Sequence, residues 1–179
     1  MKSVLISIKP KWCKLIANGK KTVEIRKTKP KLKTPFKVYI YCTKGEPAFT
    51  QSAFCDEVSN GKVIGEFVCK RIDTIAKRGV DNNFDYCYLS LNTFGNDDIE
   101  IEITNIKKSC ISKEELNSYG DNSPCLYAWH ISDLVIYDQP RKLNEFVSTS
   151  IVNTNCFGQH LHKLDKPPQS WCYVEGGKK

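Results

Sequence analysis

Four residues carry the chemistry most easily read from this chain: Gly19, Lys21, Glu24 and Arg26, spaced G-x-K-x-x-E-x-R. A lysine ammonium is a compact charge with three donors, suited to a phosphate or carbonyl oxygen. A guanidinium is a planar fork that grips phosphate bidentately or stacks on a base. The glutamate between them can accept from an exocyclic amine, fix the arginine, or serve as a proton acceptor. The plain alternative for the same residues is a solvated strand face with a weak ion pair.

Elements around the motif decide between these readings. Val4–Ile8 reads as a strand, and Pro10 opens a helix on which Trp12, Leu15 and Ile16 recur at helical spacing. Asn18-Gly19 ends that helix. A second strand follows over 21–28, with Val23 and Ile25 on one face and Thr22, Glu24 and Arg26 on the other. Lys21 has the wrong parity to join Glu24 and Arg26 from an ideal strand. It must reach them from the turn after Gly19.

Further along, Lys29 to Pro35 is a basic, proline-bracketed loop. Phe36–Thr43 alternates, with Phe36, Val38, Ile40 and Cys42 on one face and Lys37, Tyr39, Tyr41 and Thr43 on the other. Residues 62–72 read as a strand in which Gly65 marks a bulge or a close approach. Residues 76–98 are irregular and read as an insertion, and 99–104 as a strand with an acidic outer face. Ser112-Lys113-Glu114-Glu115 is a capping box opening a short helix. Residues 125–137 form a closing strand bent near Ser132-Asp133, 140–147 a short helix, and the remainder an irregular tail. Many strands, two short helices and no βαβ rhythm predict an α+β domain built on a mixed or antiparallel β-barrel. The expected organisation is one domain over 1–138, with a C-terminal extension over 139–179 packing on it.

Composition is globular, with 40% hydrophobic and 26% charged residues and a net charge of +7. Residues 1–44 hold thirteen Lys or Arg and a single acid, Glu24, so much of the surplus surrounds the motif. That patch suits phosphate contacts, and a solvated basic face is the equal alternative. Nine cysteines with no secretory segment and no membrane-length apolar run predict free thiols in a reducing cytoplasm.

The motif and its preceding helix resemble the ASCH domain family, a PUA-like family. The similarity begins at Val4-Leu5-Ile6-Ser7-Ile8, continues through Lys9-Pro10-Lys11-Trp12, and extends to Leu126-Tyr127-Ala128-Trp129-His130-Ile131, roughly the first 135 residues. The stretch Pro167 to Glu175 looks like the tail of bacterial and phage-type members. The resemblance implies a PUA-like barrel in which Lys21, Glu24 and Arg26 line a cleft and Gly19 is a backbone device. Some small members are amidohydrolases acting on N4-acetylcytidine, with a lysine activating a threonine. Lys21 occupies the lysine position here, but Glu24 stands where the threonine would be, and Glu114 or Glu115 are the candidates for the helical acid. Other members are described as metal-independent ribonucleases, for which Tyr39, Tyr41, Lys44 and Ser132 are available.

Aromatics beside a basic cleft are what base stacking needs. Tyr41 and Trp129 are the expected stacking residues; Trp129 is equally a core candidate, and Trp12 reads as core. Cys156, His160, His162 and Cys172 form a Cys/His set, but C-x3-H-x-H is not a common zinc spacing, and no metal or cofactor is assigned. The chain has no phosphate-binding P-loop, dinucleotide turn or zincin helix. Three functions follow. The leading one is binding of RNA or a modified nucleotide through Lys21, Glu24, Arg26, Tyr41 and Trp129. The second is a small hydrolase using Lys21 and Glu24. The third is a protein-interaction module whose partner surface lies after Tyr137.

Overall fold

The computed structural model describes residues 2–45, 60–80, 85–90, 106–152 and 160–175. Its elements in chain order are β1 (Lys2–Ile8), α1 (Pro10–Ala17), β2 (Val23–Arg26), β3 (Phe36–Cys42), β4 (Lys62–Val80), β5 (Asp85–Ser90), α2 (Lys113–Gly120), β6 (Cys125–Arg141), a 3-10 turn (Leu143–Glu145), β7 (Val147–Val152), β8 (His160–Lys163) and β9 (Trp171–Glu175). A helical turn also spans 106–109. The chain divides into two compact units: residues 1–17, 36–68 and 133–179 form the first, and 18–35 with 69–132 the second. The strands β4 and β6 contribute residues to both.

In the first unit β1 lies between β3, its parallel partner, and β9, its antiparallel partner. The run Val4-Leu5-Ile6-Ser7-Ile8 is buried along its whole length. That is the signature of a strand covered on both faces, and each fully buried Val, Leu or Ile contributes roughly 1.5–3 kcal/mol. The strand β9 passes on to β7, and β7 to β8, by antiparallel pairing. The core cluster is Leu5, Tyr39, Tyr41, Val63, Leu143, Phe146, Leu164 and Val174. Tyr39 meets Phe146 edge-on at 4.9 Å between ring centroids. The helix α1 buries Pro10, Cys13 and Ile16, while Trp12 is half-buried with Lys11 over its ring.

Three expectations change in this unit. Tyr39 and Tyr41 do not sit on an open face: they are 2% and 3% exposed, because β3 is buried on both sides. The helix expected over 140–147 is a strand end followed by a single 3-10 turn. The C-terminal stretch expected to be irregular supplies β7, β8 and β9, and β9 pairs directly with β1. Hydrogen bonds to backbone carbonyls add to that pairing, from Ser7 N to Ser170 and from Ser7 Oγ to Pro168. Gly65 answers to close approach: a Cβ there would lie 2.4 Å from the Val135 carbonyl oxygen.

In the second unit β2 pairs antiparallel with β6, setting Val23 opposite His130, Glu24 opposite Trp129, Ile25 opposite Ala128 and Arg26 opposite Tyr127. The strand β5 folds back antiparallel on β4, so part of the expected insertion over 76–98 is a hairpin arm. Val23, Ile25, Ile75, Leu116, Leu126 and Ala128 make the core, with Ile106 and Ile111 packed against it. Ser112 caps α2 reciprocally with Glu115, as the capping-box pattern predicts. The strand expected over 99–104 lies outside the described residues. Pairing among the described strands is mixed in the first unit and antiparallel in the second, and runs as an open path in each.

Candidate functional site

The motif belongs to the second unit, where each of its residues has a distinct local cause. Gly19 takes a φ of 74°, which glycine adopts without a Cβ penalty. The Asn18 side-chain oxygen accepts from the Lys20 backbone N–H at 3.2 Å and tightens the turn. Residues 20–22 are then held from two sides. Thr22 N–H donates to the Lys108 carbonyl at 2.9 Å, and Ile131 N–H donates to the Thr22 carbonyl at 3.0 Å. Lys21 therefore stands on the turn before β2, as its parity required.

From that turn the Lys21 ammonium reaches Glu24 Oε2 at 3.2 Å and donates to the Ser109 carbonyl at 2.6 Å. Arg26 Nη2 meets Glu24 Oε1 at 3.0 Å. One carboxylate thus bridges two cations. Side-chain exposure rises along the row, from 0% at Lys21 through 7% at Glu24 to 10% at Arg26. The Lys21 end is closed by the 106–109 turn, whose last residue, Ser109, is fully buried and donates its hydroxyl to the Ile106 carbonyl at 2.7 Å. The motif is a buried ion network of which Arg26 is the least buried member.

The cross-strand register places further residues on that face, since directly opposed side chains in an antiparallel pair point the same way. Trp129, opposite Glu24, is fully buried. It lines the network from within and leaves no ring face for a base. Tyr41 lies in the core of the first unit and does not share a unit with the motif. Tyr127, opposite Arg26, is half-buried, and Lys29 Nζ stands 5.0 Å from its ring centroid.

Tyr119, near the end of α2, is a residue the sequence did not single out. Its hydroxyl takes hydrogen bonds from the Arg26 side chain and the Lys27 backbone, while the residue stays 38% exposed. Burial pushes its phenol up from the ordinary value; Arg26 opposes the shift and Glu24 adds to it. Lys27 Nζ lies 5.5 Å from the Tyr119 ring centroid. The available sequence signal was the capping box, which fixes the helix and hence the position of Tyr119 at its far end.

A second polar group in this unit also escaped the sequence. His130 Nε2 lies 2.7 Å from Asp73 Oδ2, and Arg71 Nη2 lies 3.1 Å from the same oxygen. Cys69, nearby in sequence, donates to the Arg71 carbonyl, and burial pushes its thiol up to about 12, so it is a poor nucleophile. Only β4–β6 proximity in space assembles this group.

Of the candidate hydrolytic residues, Glu114 and Glu115 are exposed on the first turn of α2, where Glu115 serves the cap. Among the described residues no group of three or more His, Cys, Asp or Glu side chains is placed to hold a metal. His162 is exposed and Cys172 half-buried, while Cys156 and the His160 side chain lie outside the described set. Among the described residues, no helix is long and apolar enough to cross a membrane. Six described cysteines are free thiols.

These features define a β-rich α+β domain with a charged motif on a short strand. The ASCH domain family model matches residues 6–138, and the chain belongs to that family. Its fold is similar to the crystal structure of ASCH from Zymomonas mobilis, at a TM-score of 0.52 and 17% identity, covering 97% of this chain and 87% of that one. Two mutants of that protein compare alike. A tyrosine-to-phenylalanine mutant gives a TM-score of 0.52 at 17% identity, over 98% of this chain and 91% of that one. A serine-to-alanine mutant gives 0.51 at 16%, over 97% and 88%. At such identity the likeness speaks for the fold alone. No curated protein matches the chain.

Proposed function

We propose that this ASCH domain binds single-stranded RNA or a nucleotide-like ligand at the Arg26 end of its motif. The supporting observation is that side-chain exposure, low throughout the network, is 0% at Lys21, 7% at Glu24 and 10% at Arg26, which makes Arg26 its least buried member. Directly beyond Arg26 the chain runs through Lys27, Lys29, Lys31 and Lys33, all exposed. A buried carboxylate that fixes a guanidinium, followed by a run of exposed lysines, matches a ligand with both a planar edge and a phosphate backbone. In this reading Arg26 contacts the ligand, while Lys21 and Glu24 are positioning residues that hold it.

Fluorescence anisotropy with labelled single-stranded RNA at several salt concentrations tests the proposal. Arg26→Ala is expected to weaken binding roughly tenfold or more, as for a charge-assisted hydrogen bond. Lys31→Ala and Lys33→Ala, at exposed positions that leave the fold intact, are expected to lower the salt slope by about 0.7 for each lysine that meets a phosphate. Failure of the unaltered chain to retain any RNA at low salt would overturn the assignment. Turnover of N4-acetylcytidine or of RNA by the unaltered chain would replace it with the hydrolytic reading.

A further inference from the structure

The residues best suited by type to stack on a base, Tyr41 and Trp129, are 3% and 0% exposed. A ring enclosed on both faces cannot receive a base, so a nucleotide reading of the motif needs other aromatics. Two lie beside Arg26. Tyr127 is its cross-strand partner and shares its face of the sheet. Tyr119 is tied to it through the hydroxyl, which the Arg26 side chain and the Lys27 backbone hold together. The ring remains 38% exposed. Each ring also carries a lysine: Lys27 at 5.5 Å from the Tyr119 centroid and Lys29 at 5.0 Å from the Tyr127 centroid.

We infer that Tyr119 and Tyr127, flanking Arg26 and accompanied by Lys27 and Lys29, form a stacking platform for successive bases of single-stranded RNA. The inference rests on the proposed function and names the part of the site that receives the bases. The pairing of types has a physical logic. Base–aromatic stacking contributes about 1–3 kcal/mol per base and tolerates any sequence. An ammonium beside each ring is attracted to the π face in the free protein. When a base arrives, the flexible lysine swings to the phosphate of the same nucleotide, and Lys27 and Lys29, both exposed, have room to do so. Arg26, held by Glu24 and in contact with Tyr119, adds positive charge beside the two rings.

Binding of the full chain to labelled oligouridine provides the test. Tyr127→Ala and Tyr119→Ala are each expected to weaken binding about tenfold, and Tyr127→Phe to leave it unchanged, because stacking needs the ring and not the hydroxyl. Lys27→Ala and Lys29→Ala are each expected to reduce the salt slope by about 0.7. A second measurement does not depend on variants folding: iodouridine in the same oligonucleotide, irradiated on the unaltered chain, is expected to crosslink to Tyr119 or Tyr127. RNA binding that survives both alanine substitutions, or crosslinks confined to other residues, overturns the platform and leaves the proposed function standing. An unaltered chain that binds no RNA removes both.

Discussion

Each unit contains a glutamate facing cations, and the two differ in their access to water. Glu24 bridges Lys21 and Arg26, and its side chain is 7% exposed, with partners at 0% and 10%. Glu66 in the first unit accepts from Lys37 at 2.6 Å and from the Tyr137 hydroxyl at 2.7 Å, with Arg141 close by, but it is 24% exposed and Lys37 41%. A buried charge left without its counter-charge keeps its desolvation cost, whereas an exposed one returns to water. The same residue types therefore make a rigid scaffold at Glu24 and a solvent-screened cluster at Glu66.

The largest expected effect is at Glu24. Glu24→Gln keeps the shape and removes the charge that Lys21 and Arg26 share, and about 3–5 kcal/mol of stability should go with it. Denaturant midpoints measure this; a loss no greater than that of Glu66→Gln would erase the contrast between the two sites. Gly65→Ala comes next. It drives a methyl group into the Val135 carbonyl, where backbone and not a pliable side chain must yield, for about 1–3 kcal/mol. Because residue 65 adjoins Glu66, that variant should also loosen the Lys37–Glu66 pair, read as a smaller salt dependence of stability. The smallest effect belongs to Glu66 itself. Burial pushes its carboxyl up, but hydrogen bonds from Lys37 and Tyr137 with the charges of Lys37 and Arg141 outweigh it and hold the group below its ordinary value. A depressed folded value means that the contribution is present above the ordinary carboxylate range and is lost as pH falls through the folded value. Glu66→Gln should remove that share of the acid sensitivity, at a cost of about 1 kcal/mol or less at neutral pH. A loss well above this would mean that exposure does not separate the two clusters.

Where the sequence was legible, a local rule governed the outcome. Strand parity placed Lys21 on the turn, a capping box opened α2, and a lone glycine marked close backbone approach at Gly65. Where it was not, the deciding fact was a neighbour far along the chain. Alternation in β3 separated two faces correctly, but no local pattern states that both will be covered, and tyrosine's polar tip reads as solvent-facing either way. The irregular composition after residue 139 hid three strands because their stability comes from pairing with other strands and not from intrinsic preference. Tyr119 and the Arg71–Asp73–His130 group were missed for the same reason. Their partners lie on other elements, and spacing along the chain carries no trace of them. The charge pattern of the motif was readable; its burial was not.

The pairing of β9 with β1 bears on how the chain must be made. On a ribosome β1 emerges long before residues 171–175, yet one of its two hydrogen-bonding edges finds its partner only when they appear. Throughout that interval the nascent chain holds an apolar strand with an open edge, the kind of edge that recruits neighbouring polypeptides. A contact of such long sequence separation also places this unit among slow-closing topologies. The strand β9 is then a latch on β1, and the interval before it engages is the one in which that edge is open to misassembly.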